Sequence, residues 1–415
     1  MKKSFFAALA AAMAALSCTA GAAGFRNEAE SIYPIPSAYD RKYTSVEWSY
    51  IPESGDVTSA PLTAGGNVYF AVNNELFCKN ESDGSDISSV MLPQKCSVFS
   101  GAVVGNTLIQ PTESGICTVN LQTMELVSQR DLGAEISDAC AADGNLAYII
   151  TKSGNSETLH CVDLSDSLNT VWEYTAGSIT ELSKLGGRIV FGADTRLVSA
   201  DSKTGSIFEA KLGKELTSAP FSTEYAIYFS CTDGSVGRAR LNDDGSFEDG
   251  TVTYCELNAS GLTSPLVLNG SLYVCTDSGL YVLDSLNMEQ EQVFSEIKSG
   301  TSPWLCTGNG QQLYTVANYE DALVLYCINI NDELDEPVIN KLAKLENFTG
   351  GVVAPAESGI MFFRDGLGRI HALKAVGYDW FSIIIKLLLF IALIVAVFFW
   401  LRAWRKSKNP PKPTF

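Results

Sequence analysis

Between about residues 45 and 375, apolar and polar positions alternate at a period near two, in short runs. Examples are "NVYFAVNNELFCKN" (67–80), "NTLIQPTESGICTVN" (106–120), "GRIVFGADTRLVSAD" (187–201) and "GSLYVCTDSGLYVLD" (270–284). Each is rich in β-branched and aromatic residues and is broken by Gly, Asp, Asn or Ser, the pattern of half-buried strands joined by tight turns. No stretch of this region carries the period of an amphipathic helix, which argues against a βαβ fold.

The runs recur. A short signal of the type Thr-Ser-Ala-Pro precedes each pair of strands, starting at Thr58, Ser100, Ser137, Thr180, Thr217, Thr263, Thr301 and Thr349. A hairpin with one strand before it and one after it, repeated roughly every 40 residues, predicts the four-stranded blade of a β-propeller. The eighth copy lacks its last strand, because after Ala375 the chain leaves the pattern. At the other end "SVEWSYIP" (45–52) is a strand without a copy of its own, and it matches "NTVWEYTAG" (169–177), the outer strand of the third copy. The sequence therefore predicts an all-β, eight-bladed propeller over 45–375, with residues 45–51 closing the last blade and removing an exposed edge.

With the repeats aligned, the chain resembles the PQQ-like (quinoprotein-type) propeller repeat family. The resemblance rests on Leu197-Val198-Ser199-Ala200-Asp201 with Thr204-Gly205, and on "TSPLVLNGSLYVCTDSGLYVLD" (263–284). It implies the fold over about 45–375 and leaves function open between two branches. Enzymes of the family hold their quinone with adjacent cysteines, a stacking Trp and acidic calcium ligands, whereas other members are assembly scaffolds of the bacterial envelope. No two Cys are adjacent here, so the sequence predicts the non-enzymatic branch, with no catalytic, cofactor or metal residues. The family's habit of locking neighbouring blades with an outer-strand Trp points to packing roles for Trp48 and Trp172. Trp304 follows the Pro of an inner strand and is a candidate for the central channel.

The ends change the picture from a soluble domain to an exported, anchored one. Residues 1–23 have Lys2 and Lys3, an apolar run and an Ala20-Gly21-Ala22-Ala23 ending, as in a secretory signal peptide. The competing reading is lipoprotein processing at Cys18. Residues 24–44 read as a linker. Residues 380–401, "WFSIIIKLLLFIALIVAVFFWL", are long and apolar enough to span a bilayer, with Trp380 and Trp400 at its edges. Lys386 inside it reads as a side chain snorkelling to the interface. The basic tail 402–415 follows and should lie in the cytoplasm by the positive-inside rule. The chain has 29 basic and 47 acidic residues, and eight of the basic ones lie in the leader, span and tail. The part outside the membrane is thus strongly acidic. That excludes nucleic acid as a partner and favours cationic ones; a protein or an envelope polymer is the partner expected.

Candidate chemistry is sparse. The two histidines, His160 and His371, fall at a third-strand slot that other copies fill with Tyr, Phe or Val. They read as repeat-position residues rather than a converging pair, which weighs against a Ser-His-Asp or His-metal site. Cys78, Cys161 and Cys327 share the next slot with Ser199, Val282 and Ala372, and so read as packing residues. Cys96, Cys117, Cys140, Cys255 and Cys306 leave room for one or two disulfides. The acidic loops "NESDGSD" (80–86) and "NDDGSFEDG" (242–250) read either as hairpin turns or as calcium ligands, with turns favoured. Asn80, Asn258, Asn269 and Asn347 begin N-x-S/T sequons that need not carry glycans.

Overall fold

The computed structural model describes residues 32–33, 44–56, 58–301, 304–306, 312–319, 322–329, 338–345, 353–355 and 360–375, with eight scattered positions between 388 and 400. The expected signal peptide, most of the linker 24–44, most of the span 380–401 and the tail 402–415 lie outside the described residues. Among the described residues, no helix is long and apolar enough to cross a membrane. The chain divides into two units, Met1–Ala375 and Val376–Phe415.

The first unit is all β. Its strands pair into eight sheets, each built on the same antiparallel plan. Sheet four shows the plan: Ser183–Leu185, Arg188–Ala193, Arg196–Asp201 and Ile207–Lys211 lie side by side in chain order. Sheets one, two and three lie within 62–91, 102–131 and 135–176, and sheets five, six and seven within 221–256, 266–294 and 304–345. Sheet eight is completed from the far end of the chain. Thr44–Tyr50 pairs antiparallel with Ile370–Ala375, in the position that the fourth strand holds elsewhere. The strand expected over 45–51 is therefore displaced by one residue. A second N-terminal piece, Ile32–Tyr33, adds in parallel to Trp304–Cys306, the first strand of sheet seven. The sequence places that piece in the linker and gives no sign of it.

In sheets one to seven the first strand is preceded by a hydroxyl residue whose backbone N–H bonds to the second strand of its own sheet: Ser59 to Ala71, Ser97 to Pro111, Ser137 to Ile150, Thr180 to Gly192, Thr217 to Ser230, Thr263 to Cys275 and Thr301 to Val316. At Ser59, Thr180, Thr263 and Thr301 the side-chain oxygen also accepts the second strand's N–H. This corrects the repeat register in the first two copies, where the equivalent residues are Ser59 and Ser97 rather than Thr58 and Ser100.

Buried apolar clusters join consecutive sheets. Leu76 and Cys78 of sheet one pack with Leu108 and Cys117 of sheet two, and Tyr148 and Cys161 of sheet three with Phe191 and Val198 of sheet four. Sheet eight joins sheet one in the same way, through Phe362, Ile370 and Ala372 against Val68 and Phe70. The core is thus a series of inter-sheet seams, so that each sheet is buried on both faces.

The fourth strands carry a repeated irregularity. In six of the eight sheets the pairing skips one fourth-strand residue: Glu47, Ile87, Val127, Val171, Glu291 and Leu342. An extra residue there is a β-bulge, which twists the edge and spoils it as a template for a foreign strand. The outward projection of the bulged residue accounts for the exposure of Ile87 (52%), Val127 (63%) and Val171 (42%).

Candidate functional site

The histidines were the natural starting point for chemistry, and both are built into their sheets. His160 sits on Ser156–Asp163 of sheet three, opposite Ile149 and Glu173. Its Nδ1 meets Glu173 Oε1 at 2.8 Å and its Nε2 meets Thr151 Oγ1 at 2.9 Å. His371 occupies the same slot in sheet eight, between Phe363 and Ser49. Phe363 stacks on its ring with centroids 4.8 Å apart. Its Nδ1 lies 2.8 Å from Ser49 Oγ, and its Nε2 lies 3.2 Å from Asp365 Oδ2. The two histidines lie in different sheets.

The chain Ser49–His371–Asp365 has the order of a hydrolase relay, and sequence reasoning missed it because Ser49 lies 322 positions from His371. Its chemistry is compromised at the acid. The buried Asp365 carboxylate also accepts the backbone N–H groups of Leu367 and Arg369 and the Arg369 guanidinium at 2.5 Å. Those bonds hold the carboxyl below its ordinary value in spite of burial, the largest influence and one that acts the other way. The carboxylate thus holds a hairpin turn and is already neutralised by a cation.

Trp48 and Trp172 do what the resemblance implies. Trp172, on the fourth strand of sheet three, donates from Nε1 to Ser202 O of sheet four at 3.0 Å. Trp48, on the closing strand of sheet eight, donates to Glu81 O of sheet one at 3.0 Å. Each indole lies on a turn glycine. A Cβ on Gly205 would fall 2.6 Å from Trp172 and one on Gly84 2.6 Å from Trp48, and both glycines have positive φ (69° and 71°). Sheet four has no such Trp. Phe208 stands in its place opposite Ser199, with the Arg188 guanidinium 5.2 Å from its ring. Arg188 Nε donates to Ser199 Oγ at 2.5 Å, so Ser199 is a hydrogen-bond acceptor as well as a packing residue. The Trp304 side chain lies outside the described residues.

The acidic loops spend their oxygens on turns. Asn80 Oδ1 accepts from Ser82 N, Asp83 Oδ1 from Ser85 N and Asp244 Oδ1 from Ser246 N. Among the described residues, no group of three or more His, Cys, Asp or Glu is placed to hold a metal ion. Cys96, Cys117, Cys140 and Cys255 are free thiols, and the Cys306 side chain lies outside the described residues. Burial pushes the thiols of Cys96 and Cys140 up to about 12 and that of Cys117 to about 11, which removes the thiolate that redox or nucleophilic chemistry needs.

One electrostatic feature escaped the sequence. Asp138 and Glu181 follow the equivalent residues Ser137 and Thr180, so they occupy the same place in sheets three and four. Burial first, then Glu181 and Glu157, raises the Asp138 carboxyl well above its ordinary value. The signal was present in the aligned repeats, where two acids stand in consecutive copies of one slot.

No protein-family model matches the chain, and no curated protein matches it. Solved structures do. BamB from Moraxella catarrhalis superimposes with a TM-score of 0.56 at 15% identity, covering 80% of this chain and 99% of that one. A europium-containing methanol dehydrogenase gives 0.59 at 8% identity, covering 84% and 96%. A computationally designed protein, Ika8, gives 0.55 at 12% identity, covering 78% and 98%. At these identities the likeness concerns the fold. The chain has a β-propeller fold.

Proposed function

We propose that this protein is a non-enzymatic binding or assembly scaffold: an eight-bladed propeller closed by Thr44–Tyr50, held outside a bacterial cytoplasmic membrane by residues 380–401. Its partner is a protein or an envelope polymer, and it uses no cofactor. The observation that carries this reading is that both histidines and the acid beside His371 are engaged within the fold. Both ring nitrogens of His160 and His371 are bonded within their own sheets, and Asp365 is neutralised by Arg369. The likeness to BamB supports the scaffold branch of the fold.

The alternative is a divergent quinone-dependent dehydrogenase, which the likeness to a methanol dehydrogenase keeps in play. The two separate on a spectrum. Purified full-length protein is mixed with the quinone and calcium, and separately with the quinone and europium. The scaffold reading expects no bound chromophore after gel filtration. A stoichiometric absorbance band travelling with the protein would overturn it.

A further inference from the structure

Most exposed turns of the propeller follow a rule, and two neighbouring turns break it. The turn between first and second strands is Gly65-Gly66, Gly105-Asn106, Gly144-Asn145, Gly186-Gly187 and Asn269-Gly270 in sheets one to four and six. In sheet five the same place holds Glu224-Tyr225, between Thr223 and Ala226, which pair through Thr223 N and Ala226 O. Tyr225 is left 71% exposed. After the third strand, an Asn or Asp caps the turn by accepting the N–H two residues on: Ser82, Gln122, Ser165 and Lys203 in sheets one to four. In sheet six that residue is Leu286, with its N–H on Asp284 Oδ1 at 2.8 Å and 69% of the residue exposed. Neither apolar side chain is required by the turn that carries it, since glycine or a polar residue serves elsewhere.

The carbonyls of both turns are held by two arginines of sheet five. Arg238, on its third strand Ser235–Ala239, and Arg240, just past the end of that strand, reach one turn each. Arg238 Nη1 donates to Leu286 O at 2.8 Å, and Arg240 Nε donates to Tyr225 O at 3.4 Å. Tyr228 adds a bond from its hydroxyl to Ser285 O at 3.0 Å. The loop 242–250 runs beside them, with Glu248 N on Arg240 O at 2.9 Å. That loop exposes Asp243, Glu248 and Asp249. Some exposed carboxylates elsewhere are paired, as Asp233 and Glu256 are with Lys214 at 2.7 Å and 3.1 Å. None of these three makes an ion pair among the described residues.

We propose that this end of sheets five and six is the docking surface for a basic, apolar-anchored segment of a protein partner. Tyr225 and Leu286 are the apolar anchors, and the carboxylates of the 242–250 loop read the flanking Lys or Arg side chains. A rigid aromatic with an adjacent aliphatic, rimmed by charge, has the composition of an interface centre. The partner's sign follows from the local carboxylates and from the acidic excess of the whole chain, 47 acidic against 29 basic residues. This inference rests on the scaffold reading and names the end of the propeller that serves it.

The test uses full-length protein in detergent and two synthetic peptides, a Lys-rich one carrying a Leu pair and its Glu-for-Lys twin. The wild type is compared with Tyr225→Ser/Leu286→Ser and with Glu248→Gln/Asp249→Asn, all in the same micelles, so that peptide bound by detergent cancels. Binding of the Lys peptide is expected to weaken about tenfold in each variant, to fall with added salt in the wild type, and to be absent for the Glu twin. Ile51→Ser, an equally exposed residue at the other end of sheet eight, is expected to change nothing. Equal binding by wild type and the apolar double variant, or equal binding of the two peptides, overturns the proposal. A bound quinone chromophore would instead overturn the scaffold reading, so the two failures are distinguishable.

Discussion

Asp138 carries the most adverse charge environment of any carboxylate described. Burial disfavours its ionised form, and Glu181 and Glu157 disfavour it further. In the unfolded chain it ionises near 3.8, while in the folded chain it holds its proton to higher pH. The contribution of this one group to folding stability is therefore fully present below 3.8 and is lost as pH rises towards the folded value. Asp138→Asn keeps an oxygen for the Ala139 N–H (2.7 Å in the parent) and removes the charge. Its melting temperature is expected to exceed the parent's at neutral pH and to match it below the ordinary carboxylate pKa. A gain of the same size at every pH would show that charge is not the cause. At the residue scale only part of this was legible from sequence. The slot shared by His160 and His371 was legible, because repeats align. Ser49 and Asp365 beside His371 were not, because no local pattern links a residue near the start of the chain to one near its end.

Between residues and the whole lies the contact that one sheet makes with the next. The alternation of apolar residues revealed the strands, and the resemblance pointed to a packing role for Trp172, which the structure places between sheets three and four. The bulges were hidden, because one extra residue in a strand does not disturb a period-two pattern enough to be seen. The register of the first two repeats was also misread, since Thr58 and Ser59 are interchangeable by type and only the bond from Ser59 N to Ala71 O separates them. The seam itself can be weighed. Trp172 is 8% exposed, packs 6.0 Å from the Tyr148 ring and donates to Ser202 O. Removing it leaves a cavity between two sheets and an unmet carbonyl. Trp172→Ala is expected to cost about 3–5 kcal/mol in a denaturant melt. A loss under about 1 kcal/mol would mean that the seam is held elsewhere.

For the whole molecule, the decisive joint is between its two ends. Six sheets take their strands from continuous stretches of chain, sheet seven adds the short Ile32–Tyr33, and sheet eight borrows its fourth strand, Thr44–Tyr50. That strand covers the edge of Ile370–Ala375, supplies Trp48 to the turn of sheet one, and places Tyr50 5.0 Å from Phe70. Without it, sheet eight has a bare, unbulged edge, and the seam to sheet one loses both aromatics. The sequence foresaw the joint by counting strands, since a copy that lacks one and a strand that lacks a copy complete each other. A chain lacking residues 44–50 is expected to lose on the order of 5 kcal/mol, a large share of the stability of an ordinary domain. It should also associate through the open edge. Both effects are read in one gel-filtration and melting experiment on the detergent-solubilised protein, to which the peptide Thr-Ser-Val-Glu-Trp-Ser-Tyr is then added. Restoration of the monomer and of the melt by that peptide, but not by one with Ala in place of Trp, would locate the closing energy in strand pairing and the Trp48 contact. An unchanged monomer with an unchanged melt would show that the propeller holds together without its borrowed strand.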